Sequence, residues 1–167
     1  YHETIHVVEH PVSEAGLVED DGRFRIEATF LDHGVDNIGW RVTEPDTRKF
    51  NQAELNRLGI RGLQMRELIE KGNINVNGQL VPIEDVSWIR PGDSIAIVID
   101  TRYCPNAINI AKNAKVLLCE STYQEEHRDL AYKHFHLTAK QAATIAKEAN
   151  VQQLILTHFS ARYQNLI

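Results

Sequence analysis

Three short apolar runs in the last 75 residues constrain the fold most. Ser94-Ile95-Ala96-Ile97-Val98-Ile99, Val116-Leu117-Leu118 and Gln153-Leu154-Ile155-Leu156-Thr157 are near-continuous hydrophobic segments of strand length. The stretches between them read as helices. Ala107 to Lys112 is one, Arg128–Lys133 another, and Thr138-Ala139-Lys140-Gln141 opens a third that runs through Ala149. Thr138 with Gln141 three residues on is a capping box, and Ala142, Ile145, Ala146 and Ala149 then share one helix face. Strands alternating with helices imply parallel pairing through right-handed crossovers, so the expected class is α/β.

The first 42 residues read as β-structure. Thr4-Ile5-His6-Val7-Val8 is a strand candidate, and Asp20-Asp21-Gly22 marks a turn before the alternating run Phe24-Arg25-Ile26-Glu27-Ala28, which continues to Leu31. Gly39-Trp40-Arg41-Val42 is a further short strand. Residues 51–72 switch to a helical period. Asn51 with Glu54 is a capping-box arrangement, Gly59 and Gly62 interrupt, and a second helix with Leu63, Met65, Leu68 and Ile69 ends at Gly72. Asn77-Gly78 between Ile74-Asn75-Val76 and Gln79-Leu80-Val81 is a strong hairpin signal.

Composition excludes several classes. With 43% hydrophobic and 25% charged residues over 167, the chain is an ordinary globular sequence rather than a disordered or collagen-like one. It has no apolar run long enough to span a membrane, which takes roughly 18 residues. A net charge of −5 excludes a uniformly basic nucleic-acid binder. The charge is uneven, at −7 over residues 1–40, +2 over 41–71 and 0 over 72–167. An anionic partner must therefore meet a local site. Cys104 and Cys119 do not make a disulfide framework; two reduced, buried thiols suit the cytosol or an organellar stroma or matrix. The opening Tyr1-His2-Glu3 reads like the middle of a longer sequence.

Each apolar run delivers a chemically useful residue at its C-terminal end: Asp100, Glu120 and His158. That edge of an open α/β sheet is where ligands bind. His136 lies two residues before the helix cap Thr138. Asp with His suits Zn²⁺, and Glu with His suits proton transfer. Each residue taken alone has a plainer explanation, Asp as a turn residue, Glu as a salt-bridge partner, His as a satisfied core residue. Their coincidence at three strand ends favours a functional reading. Ser160, Arg162 and Tyr163 follow His158; an Arg fork and a hydroxyl suit a phosphate. His33, before Gly34 at a strand end, is placed to approach such a site, whereas His2, His6 and His10 fit a strand better than a helical metal face.

These segments resemble the ribonuclease Z family, the tRNA 3′-processing endonucleases of the metallo-β-lactamase superfamily. Asp100-Thr101-Arg102 is similar to its Asp-Thr segment, and Cys119-Glu120-Ser121-Thr122 to its His-Glu-Ala-Thr motif. His136-Leu137-Thr138 with Gln141-Ala142-Ala143 and Leu156-Thr157-His158-Phe159-Ser160-Ala161-Arg162-Tyr163 match two further motifs, and His33-Gly34-Val35 to Gly39-Trp40-Arg41-Val42 matches a strand pair. The resemblance runs over nearly all 167 residues and implies part of a metallo-β-lactamase fold, an αβ/βα sandwich. It implies two zinc ions in the complete site, with Asp100 and His158 as ligands and Glu120 with His136 as the pair that protonates the leaving 3′-oxygen. It implies Ser160 and Arg162 on the substrate phosphate, precursor tRNA as substrate, and a homodimer. Residues 46–72 resemble a helical insert near the active-site entrance.

The family's His-x-His-x-Asp-His motif does not occur in the chain. The sequence is expected to be roughly the C-terminal half of such an enzyme, and inactive alone, because a catalytic zinc normally takes three protein ligands. The alternative expectation is a non-catalytic remnant that binds RNA or a partner; another phosphodiesterase of the superfamily is a third.

Overall fold

A computed structural model describes residues 7–163. In chain order the elements begin with β1 (Gly16–Asp20), β2 (Arg25–Phe30), β3 (Ile38–Thr43), β4 (Thr47–Phe50), α1 (Gln52–Leu58) and α2 (Leu63–Lys71). They continue with β5 (Asn73–Val76), β6 (Gln79–Pro82), β7 (Ser87–Arg90), β8 (Ser94–Val98) and α3 (Pro105–Ala111). Last come β9 (Val116–Glu120), α4 (Arg128–Lys133), α5 (Ala139–Glu148) and β10 (Gln153–Thr157). The chain divides into two compact units, Asp46–Gly92 and the remainder. Thr4, Ile5 and His6 of the expected first strand, and His2, lie outside the described residues; Val7 and Val8 are not in a strand, and His10 is exposed.

The larger unit is a six-stranded sheet in the order β1-β2-β3-β8-β9-β10. The pairs from β1 to β8 are antiparallel, and β8-β9-β10 are parallel, as the strand–helix alternation requires. The β1–β2 connection is stabilised by its own side chains. The Asp21 carboxylate accepts the Arg23 and Phe24 N–H groups at 2.8 Å, and these bonds hold its pKa down to about 2.

In the parallel layer the register puts Leu117 beside Ala96 and Leu154, and Cys119 beside Val98 and Leu156. Helices α3 and α5 cover this face. Their buried residues are mostly alanine (Ala107, Ala111, Ala142 and Ala146), so the helix backbones lie close to the sheet and Ile110, Leu137 and Ile145 fill the remaining space. Both halves of the expected capping box at Thr138 and Gln141 are formed. On the opposite face Ile95, Ile97 and Leu118 are half-buried and Ile155 is exposed. Cys119 is buried but Cys104 only partly so, which corrects the expectation of two buried thiols; both are free.

The smaller unit has its own core of Leu55, Ile60, Leu68, Ile74, Val81, Ile83 and Val86. Strand β4 pairs with β7 and β5 with β6. Asn77 and Gly78 both have positive φ, as the Asn-Gly hairpin demands. Asn51 caps α1 by accepting the Glu54 N–H, but the box is only half made, because the Glu54 carboxylate turns to Arg57. The apolar stripe expected on α2 is narrower than its spacing suggests. Leu68 is buried and Met65 packs beside it, while Leu63 and Ile69 are exposed. No helix among the described residues is long and apolar enough to cross a membrane.

Candidate active site

The parallel register pairs Val98 with Cys119 and Thr157 with Glu120, so the three strands end side by side. The chain then turns sharply at two of the ends. Asp100 has φ 56° and His158 has φ 55°, a left-handed conformation that is strained for residues other than glycine. Neighbours hold both turns. The Asn37 side-chain amide donates to the Ile99 carbonyl at 2.8 Å and to the Asp100 carbonyl. The Ser121 N–H donates to the Thr157 carbonyl at 2.9 Å and the Ser160 N–H to the Thr122 carbonyl at 3.2 Å. Such strain, on the order of 1–3 kcal/mol per residue, collects where side chains must be aimed.

Glu120 is 0% exposed, and donors surround its carboxylate. Oε1 accepts the Thr101 N–H at 2.6 Å; Oε2 accepts the Thr122 hydroxyl at 2.6 Å and the Leu137 N–H at 3.0 Å. His136 Nδ1 lies 3.2 Å from Oε2. A buried carboxylate without these partners would be costly; here every acceptor is engaged. The His136 loop is itself locked. The Tyr123 N–H donates to the Leu137 carbonyl at 3.1 Å and the Ala139 N–H to the Tyr123 carbonyl at 2.8 Å. Phe135, at φ 63°, lies under the Arg102 guanidinium at 3.8 Å from the ring centre. A Cβ on Gly34 would come within 2.8 Å of the Phe135 ring, so only glycine leaves that ring in place. His33 donates from Nδ1 to the Phe135 carbonyl at 3.0 Å, and its ring centre is 5.3 Å from that of His136.

Asp100 and His158 form the open side of the cluster, with side chains 39% and 42% exposed. Asp100 Oδ1 and His158 Nε2 are 3.2 Å apart, and His136 Nδ1 is 3.9 Å from the same oxygen. Two acceptor atoms at that separation need a proton or a cation between them. One ligand atom from each of Asp100, His136 and His158 lies within 4.8 Å of the others. A carboxylate and imidazoles are the donor set of a zinc-type ion, so the residues fit a metal.

The structure thus brings Asp100, Glu120, His136 and His158 into one group. Ser160 and Arg162 lie on the loop after β10. The Ser160 hydroxyl accepts the Arg162 N–H at 3.3 Å, and the Arg162 guanidinium is 5.9 Å from the Tyr123 ring centre. That ring is in turn 6.2 Å from His136. Sequence reasoning gave no role to Thr122, whose hydroxyl lies between Glu120 and His158 Nδ1, 2.8 Å from the latter. The signal was present: two residues beyond Glu120 in extended chain, Thr122 points to the same side. Asn37 and Thr101 were missed as well, since their contacts come from segments distant in sequence.

No protein-family model matches the chain. It is 69% identical over 166 residues to ribonuclease Z of Protochlamydia amoebophila, covering 99% of this chain and 54% of that protein. The chain spans about half the length of the curated relatives it matches. Human tRNase Z, short form, superposes with a TM-score of 0.56 at 24% identity, over 89% of this chain and 41% of that one. A metallo-β-lactamase fold protein from Bacillus subtilis gives 0.53 at 16% identity, over 87% and 40%. The architecture is therefore part of the metallo-β-lactamase fold.

Proposed function

Because the chain is homologous over nearly all its residues to about half of ribonuclease Z, we propose that it is the corresponding portion of an endonuclease that removes the 3′ trailer from precursor tRNA. In this reading Asp100 and His158 hold zinc, and the remaining ligands come from outside the chain. Bound zinc would supply an activated water at neutral pH and neutralise charge on the scissile phosphate.

The chain's own residues do the rest. Glu120, fixed by the Thr101 and Leu137 N–H groups, orients the His136 ring through Nδ1. His136 then gives a proton to the leaving 3′-oxygen, a contribution of about 10²–10⁴ in rate for a positioned acid. Ser160 and Arg162 hold the phosphate, and Tyr123 beside Arg162 confines that side of the substrate. Cytoplasmic or organellar location and a homodimeric assembly complete the proposal.

The observation that carries it is the pairing of a buried, fully bonded Glu120, set against His136 Nδ1, with an open Asp100–His158 pair at one strand edge. The test is zinc content and precursor-tRNA cleavage measured on the same samples of the full-length protein. His158→Ala is expected to lose both zinc and cleavage. His136→Ala is expected to lose at least about 100-fold in turnover while keeping its zinc. Equal zinc loss in His136→Ala would make His136 a ligand, and a zinc-loaded wild type that binds tRNA without cutting it would favour the non-catalytic module.

A further inference from the structure

Thr122 lies between the two halves of the site. It is buried, its backbone carbonyl is fixed by the Ser160 N–H, and its β-branched side chain has few rotamers. A hydroxyl has one proton. At 2.6 Å from Glu120 Oε2, which as a carboxylate oxygen can only accept, that proton is committed to Glu120. The hydroxyl can then meet His158 Nδ1, 2.8 Å away, only as an acceptor. His158 must accordingly carry its proton on Nδ1, which leaves the Nε2 lone pair directed toward Asp100 Oδ1 at 3.2 Å.

We propose that Thr122 is a positioning residue that fixes the Nδ1–H tautomer and the ring orientation of His158, and so presents Nε2 as the ligand atom for a divalent metal ion. The inference rests on the reading of Asp100 and His158 as metal ligands. It adds a bridge, because the hydroxyl that sets the ligand imidazole is also one of the donors holding Glu120. The polar partner behind a metal-binding histidine typically contributes a factor of about 10–100 in metal affinity.

The test uses the full-length protein with zinc as the probe. Histidine ¹⁵N–¹H correlation spectra at alkaline pH, with and without zinc, report which nitrogen of His158 carries the proton; chelator competition reports affinity. Wild type is expected to show the Nδ1–H form. Thr122→Val is expected to lose that preference and bind zinc about 10–100-fold more weakly. Thr122→Ser, which keeps the hydroxyl, is expected to restore both. An Nε2–H form in neutral wild-type His158 would overturn the proposal even if Thr122→Val failed to fold. Zinc bound equally well by wild type and Thr122→Val would overturn this inference alone, whereas a wild type that binds no zinc would overturn the metal reading with it.

Discussion

The two halves of the site are built on opposite principles. Glu120 sits where water does not reach, with the His136 ring mostly covered beside it, and protein donors satisfy the carboxylate completely. Asp100 and His158 are partly open, and their facing atoms are both acceptors when His158 is neutral. The first half is closed by protein donors; the second is left open to solvent. A buried carboxylate with all its donors behaves as a rigid fitting, while the open pair, 3.2 Å apart, stays accessible.

Substitution should separate the halves by stability. Glu120→Ala strands the Thr101 and Leu137 N–H groups and the Thr122 hydroxyl in the interior, and is expected to lower unfolding free energy by about 3–5 kcal/mol. Asp100→Asn, at a partly open site and still tolerant of positive φ, is expected to cost less than about 1 kcal/mol. Denaturant titration of both variants without metal measures the difference, and equal losses would break the comparison.

A smaller effect is expected one step further from Glu120. Gly34→Ala introduces a methyl group at positive φ against the Phe135 ring, and should cost about 1–3 kcal/mol while displacing His136. Unfolding measurements with the His136 ring resonances as a local reporter would check it; an unmoved His136 signal would uncouple the glycine from the site.

The smallest effect is a pH response of the buried half. Burial, with the adjoining Glu120 charge, pushes the Cys119 thiol up to about 12. In the unfolded chain the thiol titrates near about 8.5. The folded state therefore keeps its proton where the unfolded state loses it. The stabilisation is fully present below about 8.5 and is lost as pH rises toward about 12. Iodoacetamide at mildly alkaline pH should label the half-buried Cys104 before Cys119 in the native protein, and both after denaturation. Mass spectrometry of the labelled peptides decides it, and early labelling of Cys119 would show that this half opens readily.

Much of the larger unit was legible from local signals. The apolar runs became β8, β9 and β10, and Thr138 with Gln141 opened α5. The less legible parts share a cause. Strands β4 and β7 were missed because their polar, mixed residues pair with each other across most of the smaller unit. Leu63 and Ile69 fell outside the core because a helical period gives a stripe without its width, and the neighbours of α2 cover only Leu68 and Met65. Asn37 and Thr101 act through contacts more than 15 residues away in sequence, which no spacing rule reaches.

The sequence by itself determined most elements of the larger unit and which polar residues stand at the ends of β8, β9 and β10, because period, caps and turn residues act over a few neighbours. It also carried the resemblance to ribonuclease Z, through motifs whose order is a property of the chain alone. Only the tertiary structure decided the surroundings that each of those residues meets. Whether a carboxylate is sealed among donors, as Glu120 is, or left facing another acceptor, as Asp100 is, depends on what other segments bring to it. The direction of the Thr122 proton, and with it the free nitrogen of His158, follows from three atoms that meet only once β9 and β10 lie side by side.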